Sequence, residues 1–325
     1  MLTTVVGSYP VITQEPKSFT GKIKASFGNY DPYKSAIKQA VVDQIEAGVD
    51  LISDGQVRGS MLEIFAKSIP GMSLENKKPV IHGKITPASY CIGASDIELA
   101  LKTAKKISPD YGKKTEILKE QRFNQNFKGV KGIVTGPTTL VLSSLIEGFY
   151  NKDKKEKAIV DLAWALKKEV EFLEDTGVAL IQIDEPYLST GIADLQIARK
   201  AVDIITGNMG LPVAMHVCGD VTGIWDELLK FKIDIIDCEF AGQPENLHIL
   251  ENTDLNGKKL GMGCIDSKTD KIESKDQVAS ILKIAIKNLG EDNIMADPDC
   301  GMRLRSREAA FSKLKVMVDT VKWLS

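Results

Sequence analysis

Apolar, β-branched runs that stop at Gly, Pro or Asp recur along the chain, and eight of them read as buried strands: residues 3–8, 49–55, 130–137, 179–186, 212–220, 234–242, 258–266 and 293–301. Most are followed by a stretch in which apolar residues return every third or fourth position beside Lys and Glu, most clearly at 35–47, 156–176, 192–207, 274–288 and 306–324. Strands and helices alternating in this way predict an α/β fold closed into a (β/α)8 TIM barrel. The second and third strands are unusually far apart. Residues 56–129 lie between them, with a hairpin expected around KPVIHGKI (78–85) and lysine-rich helices from 95 to 121. The expectation is a single domain over 1–325, with an insertion at about 70–125.

Composition narrows the function classes. Lys and Arg number 42 against 44 for Asp and Glu, so nothing in the charge balance suggests a nucleic-acid or membrane surface. No apolar run reaches the ~18 residues of a membrane span, and MLTTVVGSYPVITQ has neither a basic n-region nor a cleavage pattern, so a cytoplasmic location is expected. The five cysteines, Cys91, Cys218, Cys238, Cys264 and Cys300, are too sparse for a disulfide framework and are expected to be reduced. The lysine clusters at 102–114 and 152–157 read as solvated faces.

Polar and special residues gather at the carboxyl ends of the predicted strands: Gly7-Ser8, Asp54-Gly55-Gln56, Thr135-Gly136-Pro137, Asp184-Glu185, His216 with Cys218, Glu239, Asp266 and the run from Asp297 to Cys300. That is the face on which barrels build active sites, and buried carboxylates and imidazoles are costly unless they share a task or are each paired. His216 and Cys218 stand two apart on one strand, so they face the same way, and both suit a borderline-soft ion. The pair alone is weak evidence for a metal, since core His and Cys often satisfy a hydrogen bond or fill space. Glu239 and Cys300, at the ends of other strands, can converge on it to complete a tetrahedral zinc set. Cys238 points to the opposite strand face and Cys264 lies in an apolar strand, so both are expected to pack. Cys91 falls in the insertion without an assigned role, and His82 and His248 are expected at the surface or locally bonded.

These segments resemble a known family. TTVVGSYP, IQIDEP, HVC, the EF after DIIDC, and DPDCGMRLR are similar, in order and spacing, to segments of the carboxyl-terminal catalytic barrel of cobalamin-independent methionine synthase, in a short single-barrel form. The resemblance covers essentially the whole chain. It implies zinc (Zn2+) held by His216, Cys218, Glu239 and Cys300. It also implies a homocysteine pocket in which Asp184 takes the ammonium, Gly7 and Ser8 take the carboxylate, and Gln56 lies alongside. The implied reaction is methyl transfer to the thiol of homocysteine, giving methionine, with Asp184, Ser8 and Gln56 as the catalytic-pocket residues.

The chain departs from the family in three places. The two-barrel members carry an amino-terminal half that helps hold a folate, and no counterpart is found in these 325 residues. Where the family has Gly-Glu, this chain has Gly55-Gln56. Where the family reads Asp-Ile-His-Ser-Pro-Arg, this chain reads Asp266-Ser267-Lys268-Thr269-Asp270-Lys271. A methyl group on a folate nitrogen leaves only with protonation, whereas one on cobalt needs no proton. The missing histidine and missing half therefore lead to the expectation of methylcobalamin or a methylated corrinoid protein as donor. The alternatives are the same reaction with a methyl-tetrahydropterin or folate donor, and a coenzyme M-type thiol methyltransferase. From other classes come a zinc-storage protein and a metal-free relative of porphyrinogen decarboxylases.

Overall fold

The computed structural model describes residues 1–16, 23, 26–27, 30–112, 127–151 and 154–324. In chain order its strands are β1 (Leu2–Thr3), β2 (Leu51–Ile52), β3 (Met72–Glu75), β4 (Lys78–Ile81), β5 (Gly129–Thr135), β6 (Leu145–Ile146), β7 (Leu180–Asp184), β8 (Val213–Val217), β9 (Ile235–Glu239), β10 (Lys259–Ile265) and β11 (Ile294–Pro298). Eight of these form one parallel sheet in the order β1-β11-β10-β9-β8-β7-β5-β2. A parallel bridge between Thr4 and Leu51 brings its two edges together, so the sheet is a nearly closed barrel. All eight predicted strands are present. The first two are much shorter than 3–8 and 49–55, because the chain leaves the ladder to build the barrel mouth, where the Tyr9 amide donates to the Gly55 carbonyl at 2.9 Å. Packing at Gly7 is close, since a Cβ would come within 2.6 Å of Ile133 Cδ1.

The helices are α1 (Tyr33–Ala47), α2 (Met61–Ala66), α3 (Ala94–Ile107), α4 (Pro137–Leu142), α5 (Lys155–Thr176), α6 (Leu195–Thr206), α7 (Trp225–Leu228), α8 (Lys275–Leu289) and α9 (Arg307–Leu324). Their apolar faces pack on the outside of the barrel. In α6, Ala198, Ala201, Val202 and Ile205 form the buried stripe, and Asp194 caps the start by accepting from the Gln196 and Ile197 amides. No helix among the described residues is long and apolar enough to cross a membrane.

The hairpin lies earlier than expected. β3 and β4 pair antiparallel, so KPVI is the second strand of the hairpin, whose turn falls on Asn76 and Lys77, both at positive φ (49° and 64°). Two consecutive residues of that kind make the tight turn whose twist matches paired strands. β6 then adds to β4 in parallel. Of the lysine-rich helices expected from 95 to 121, α3 covers the first part, and residues 113–121 lie outside the described residues.

Inside the barrel the side chains form layers. Leu2, Leu51, Phe127, Leu180, Ala214, Ile235 and Met295 make an apolar floor. Stepping two residues along four strands from that level reaches Gln182, His216, Asp237 and Asp297, and Lys131 of β5 joins them through Gln182, all five buried. One further step reaches Asp184, Cys218 and Glu239 at the mouth. A polar layer above an apolar floor therefore supports the candidate site from below.

Candidate metal centre and active site

His216, Cys218 and Cys300 meet at the carboxyl ends of β8 and β11, and their ligand atoms all lie within 4.8 Å of one another. His216 Nε2 is 3.1 Å from Cys218 Sγ, and the two sulfurs are 3.7 Å apart. Tetrahedral zinc with Zn–S bonds of about 2.3 Å would set its sulfurs about 3.8 Å apart, so the spacing fits that ion. A hydrogen bond from Cys218 and the nearby His216 pull the Cys300 thiol down to about 4, while the same bond and burial push Cys218 well above its ordinary range. The cluster thus holds at least one thiolate readily, the donor that a soft cation prefers.

Several polar residues support the cluster. His216 Nδ1 faces Asp237 Oδ1 at 3.2 Å, a close contact whose angle falls short of a hydrogen bond. Burial opposes a charge on His216, but Cys218 and Asp237 outweigh it and raise its pKa. A carboxylate behind a ligand histidine fixes its ring orientation and makes the other nitrogen a better donor. Asp297 lies in the same layer, and burial together with the charge of Asp237 pushes its carboxyl well up. Lys131, 1% exposed, donates to the Val5 carbonyl and to Gln182 Oε1 at 2.5 Å.

Two side chains tie the loops that carry the cluster. Asn246 Nδ2 donates to the carbonyls of Gly219 and Glu239, and its Oδ1 accepts from the Val221 amide. The Asp299 carboxylate accepts from the Phe240, Ala241 and Gly242 amides at 2.9, 3.0 and 2.5 Å, which locks the loop after β9 to the one carrying Cys300. Burial pushes Asp299 up to about 7 against those bonds. Replacing Asp299 by Ala takes the acceptor from the Gly242 amide, while the Phe240 and Ala241 amides keep the Gly263 carbonyl, and the expected loss is about 1–3 kcal/mol of stability, read from the urea midpoint. An unchanged midpoint would show that the loops hold without it.

Glu239 is buried, yet its carboxylate is not part of the three-residue cluster. Oε2 is ion-paired with Lys268 Nζ at 3.0 Å, and that bond raises the lysine pKa. Glu239, Lys268 and Cys300 line a cleft of about 610 Å³, with Ser8, Gln56 and Arg303 on its other walls. Ser8 reaches the wall because residue 301 is glycine: a Cβ there would sit 2.1 Å from Ser8 Oγ. The Met302 amide donates to the Ser8 carbonyl at 2.8 Å. Gln56 adopts φ 45°, and its carbonyl accepts from Arg303.

Asp184 stands apart from the cleft wall. It is 1% exposed, and Gln182 Nε2 donates to its Oδ1 at 2.6 Å. Burial raises its pKa to about 6, against the pull of His216 and Lys131. Glu185, next to it, has a structural task, accepting from the Thr138 and Thr139 amides at the start of α4. Cys238 and Cys264 are fully buried in the packing outside the strands, as expected. Cys91 donates to Glu169 Oε1 at 3.3 Å, and His82 and His248 are exposed.

Sequence reading missed Asp237, Asn246 and Asp299. Asp237 was open to it, since it precedes Glu239 by two on the same strand face. The other two act on partners far along the chain, which no local pattern marks.

Comparison with known proteins identifies the family. The model of the cobalamin-independent synthase catalytic domain matches residues 1–322. A methionine synthase of Methanothermobacter marburgensis is 46% identical over 318 residues, covering 98% of each chain. A methionine synthase of Methanocaldococcus jannaschii is 45% identical over 332 residues, covering 99% of each. Among solved structures, a B12-independent methionine synthase from Shewanella sp. W3-18-1, in complex with selenomethionine, superposes with a TM-score of 0.80 at 21% identity, over 99% of this chain and 97% of that one. At that identity the match shows a shared fold. The chain belongs to the cobalamin-independent synthase family, matching its catalytic domain, and is a methyltransferase.

Proposed function

We propose that the protein is a zinc-dependent methionine synthase that transfers a methyl group to the thiol of homocysteine. The observation that carries this reading is the His216, Cys218 and Cys300 cluster opening onto a cleft lined by Ser8 and Gln56. The names of the archaeal relatives support the same reaction. His216, Cys218 and Cys300 would hold zinc, with Glu239 as the fourth residue the family resemblance implies. When bound, zinc would supply deprotonation of a thiol whose free pKa is ~8.5.

The chain's own residues bind and orient the amino acid. Asp184, at the barrel end of β7, is the countercharge for the substrate ammonium. Its raised pKa fits an acid waiting for a cation, because an ammonium beside it restores the carboxylate. The Gly7 and Ser8 backbone with the Ser8 hydroxyl take the carboxylate, and Gln56 closes the side of the pocket. Holding the amino acid at both ends fixes the sulfur for in-line attack on the methyl group, the orientational part of catalysis. The protein acts in this reading as one catalytic domain, the insertion included.

The donor proposed is methylcobalamin or a methylated corrinoid protein. This departs from the family's description as cobalamin-independent. It is supported by Lys268 at the position where the family resemblance expects a histidine, already engaged by Glu239.

Formation of methionine from homocysteine by the purified protein, given either donor, tests the reaction itself. No methionine with any methyl donor would sink it. The pocket is tested separately. Asp184→Asn is expected to weaken homocysteine binding by about 1.5–3 kcal/mol while zinc content stays the same. A thiol of similar length without the amino group should bind both proteins alike. Equal weakening of both thiols would remove Asp184 from the ammonium role.

A further inference from the structure

A buried pair of side chains, Lys131 and Gln182, ties together the two ends of the amino-acid pocket. Gln182 and Asp184 stand two apart on β7, so both face into the barrel, and both are buried. Gln182 Nε2 donates to Asp184 Oδ1 at 2.6 Å and to the Val6 carbonyl at 2.7 Å. Its Oε1 accepts from Lys131 Nζ at 2.5 Å, and the same nitrogen donates to the Val5 carbonyl. Lys131 comes from β5, the strand beside β7. Val5 and Val6 lead directly into Gly7-Ser8. The pair therefore bonds Asp184 on one side and the chain under Gly7-Ser8 on the other.

The Gln182 amide fits only one way round. A main-chain carbonyl accepts and never donates, so the Nε2 side must face Val6. The Oε1 side then faces Lys131, whose head group supplies the donor. Turning the amide over would set Oε1 against the Val6 carbonyl and the Asp184 carboxylate and lose the bonds to both. We propose that Lys131 and Gln182 are positioning residues that fix the spacing between Asp184 and the Gly7-Ser8 segment, and so make the pocket selective for a thiol carrying both charged groups of an α-amino acid. The inference rests on the amino-acid pocket proposed above. A ligand gripped at both ends gains fully from the second grip only when the two sites are already held at the right separation, which is what buried hydrogen bonds behind a site provide.

The test compares the calorimetric affinities of homocysteine, of mercaptobutanoate, which is homocysteine without its amino group, and of aminopropanethiol, which is homocysteine without its carboxylate. Wild type is set beside Gln182→Met, which keeps the length without the hydrogen bonds, Lys131→Met, and Asp184→Asn, each shown to be folded by circular dichroism. Gln182→Asn keeps the amide but is one methylene too short to reach its three partners, and it repeats the test if the Met replacements do not fold. In the Gln182 variants the preference for homocysteine over each truncated thiol should fall about tenfold, the scale of one hydrogen bond to a charged group. Lys131→Met should lower it by a smaller factor, since Gln182 keeps its bond to Val6. An unchanged preference in the folded Gln182 variants would overturn the inference, and so would equal weakening of all three thiols, the result of a merely structural role. Asp184→Asn separates the two readings. If it keeps the full preference over mercaptobutanoate, the ammonium pocket fails and this inference with it; if it loses that preference while the Gln182 variants keep theirs, this inference alone fails.

Discussion

Cys218→Ser and Cys300→Ser should each strip the protein of zinc and of methyl transfer while leaving it folded. Binding of structural zinc is worth ~10–16 kcal/mol, so losing one of about four ligands costs about 3 kcal/mol, more than a hundredfold in affinity. A serine hydroxyl does not replace a thiolate for this ion, being a harder and more basic donor. Both cysteines are partly exposed at the barrel mouth and contribute little to packing. Cys238 and Cys264 supply the contrast. They are buried among apolar side chains, and serine there is expected to cost about 1–3 kcal/mol of stability with zinc content unchanged. Zinc counted per chain by elemental analysis, beside urea unfolding of all four variants, checks the set. Full activity in Cys218→Ser or Cys300→Ser would end the metal assignment.

The second large effect concerns the donor. Methionine formation in a single turnover should be about 10²-fold faster or more from methylcobalamin than from methyl-tetrahydrofolate at equal concentration, the scale of a missing general acid. A methyl group on a folate nitrogen leaves with a proton, and the residue at the relevant position is Lys268. A lysine of ordinary pKa ~10.4 is a poor acid near neutral pH, and an ion pair with a carboxylate favours its charged form further. Its partner Glu239 is buried, while Lys268 itself is more than half exposed. The family's description favours the opposite outcome. Faster transfer from the folate would overturn the donor assignment and leave the pocket untouched.

The barrel was legible in the sequence because buried parallel strands are near-continuous apolar runs, as in ALIQIDEP and DIIDCEFAG. The HxC pair was legible through strand periodicity, and the carboxyl-end rule put Ser8, Gln56, Glu239 and Cys300 on one mouth, where they do line one cleft. Strand lengths were not legible. Residues 5–8 look like strand because Val5 and Val6 continue the β-branched run, yet beyond the Thr4–Leu51 bridge the chain turns across the mouth. The hairpin was expected around KPVIHGKI, a few residues late, although Asn76 followed by Lys77 carries a weak version of the positive-φ signal. Of the inner layer, His216 and Asp297 stood among the polar strand-end residues, whereas Lys131, Gln182 and Asp237 went unread, because a polar residue inside an apolar run does not show what it faces. The tie between Lys268 and Glu239 is set by two loops that meet only in the folded barrel.

The central claim is that homocysteine is bound as its thiolate in the cleft beside His216, Cys218 and Cys300. Calorimetry of homocysteine binding in two buffers of different ionisation enthalpy measures the protons exchanged. At pH 7 the free thiol, of pKa ~8.5, is almost wholly protonated, so close to one proton should be released per homocysteine bound, and the apparent affinity should rise with pH until about 8.5. Binding of homocysteine with no proton release, and with an affinity that does not change with pH between about 6 and 8, would contradict the account.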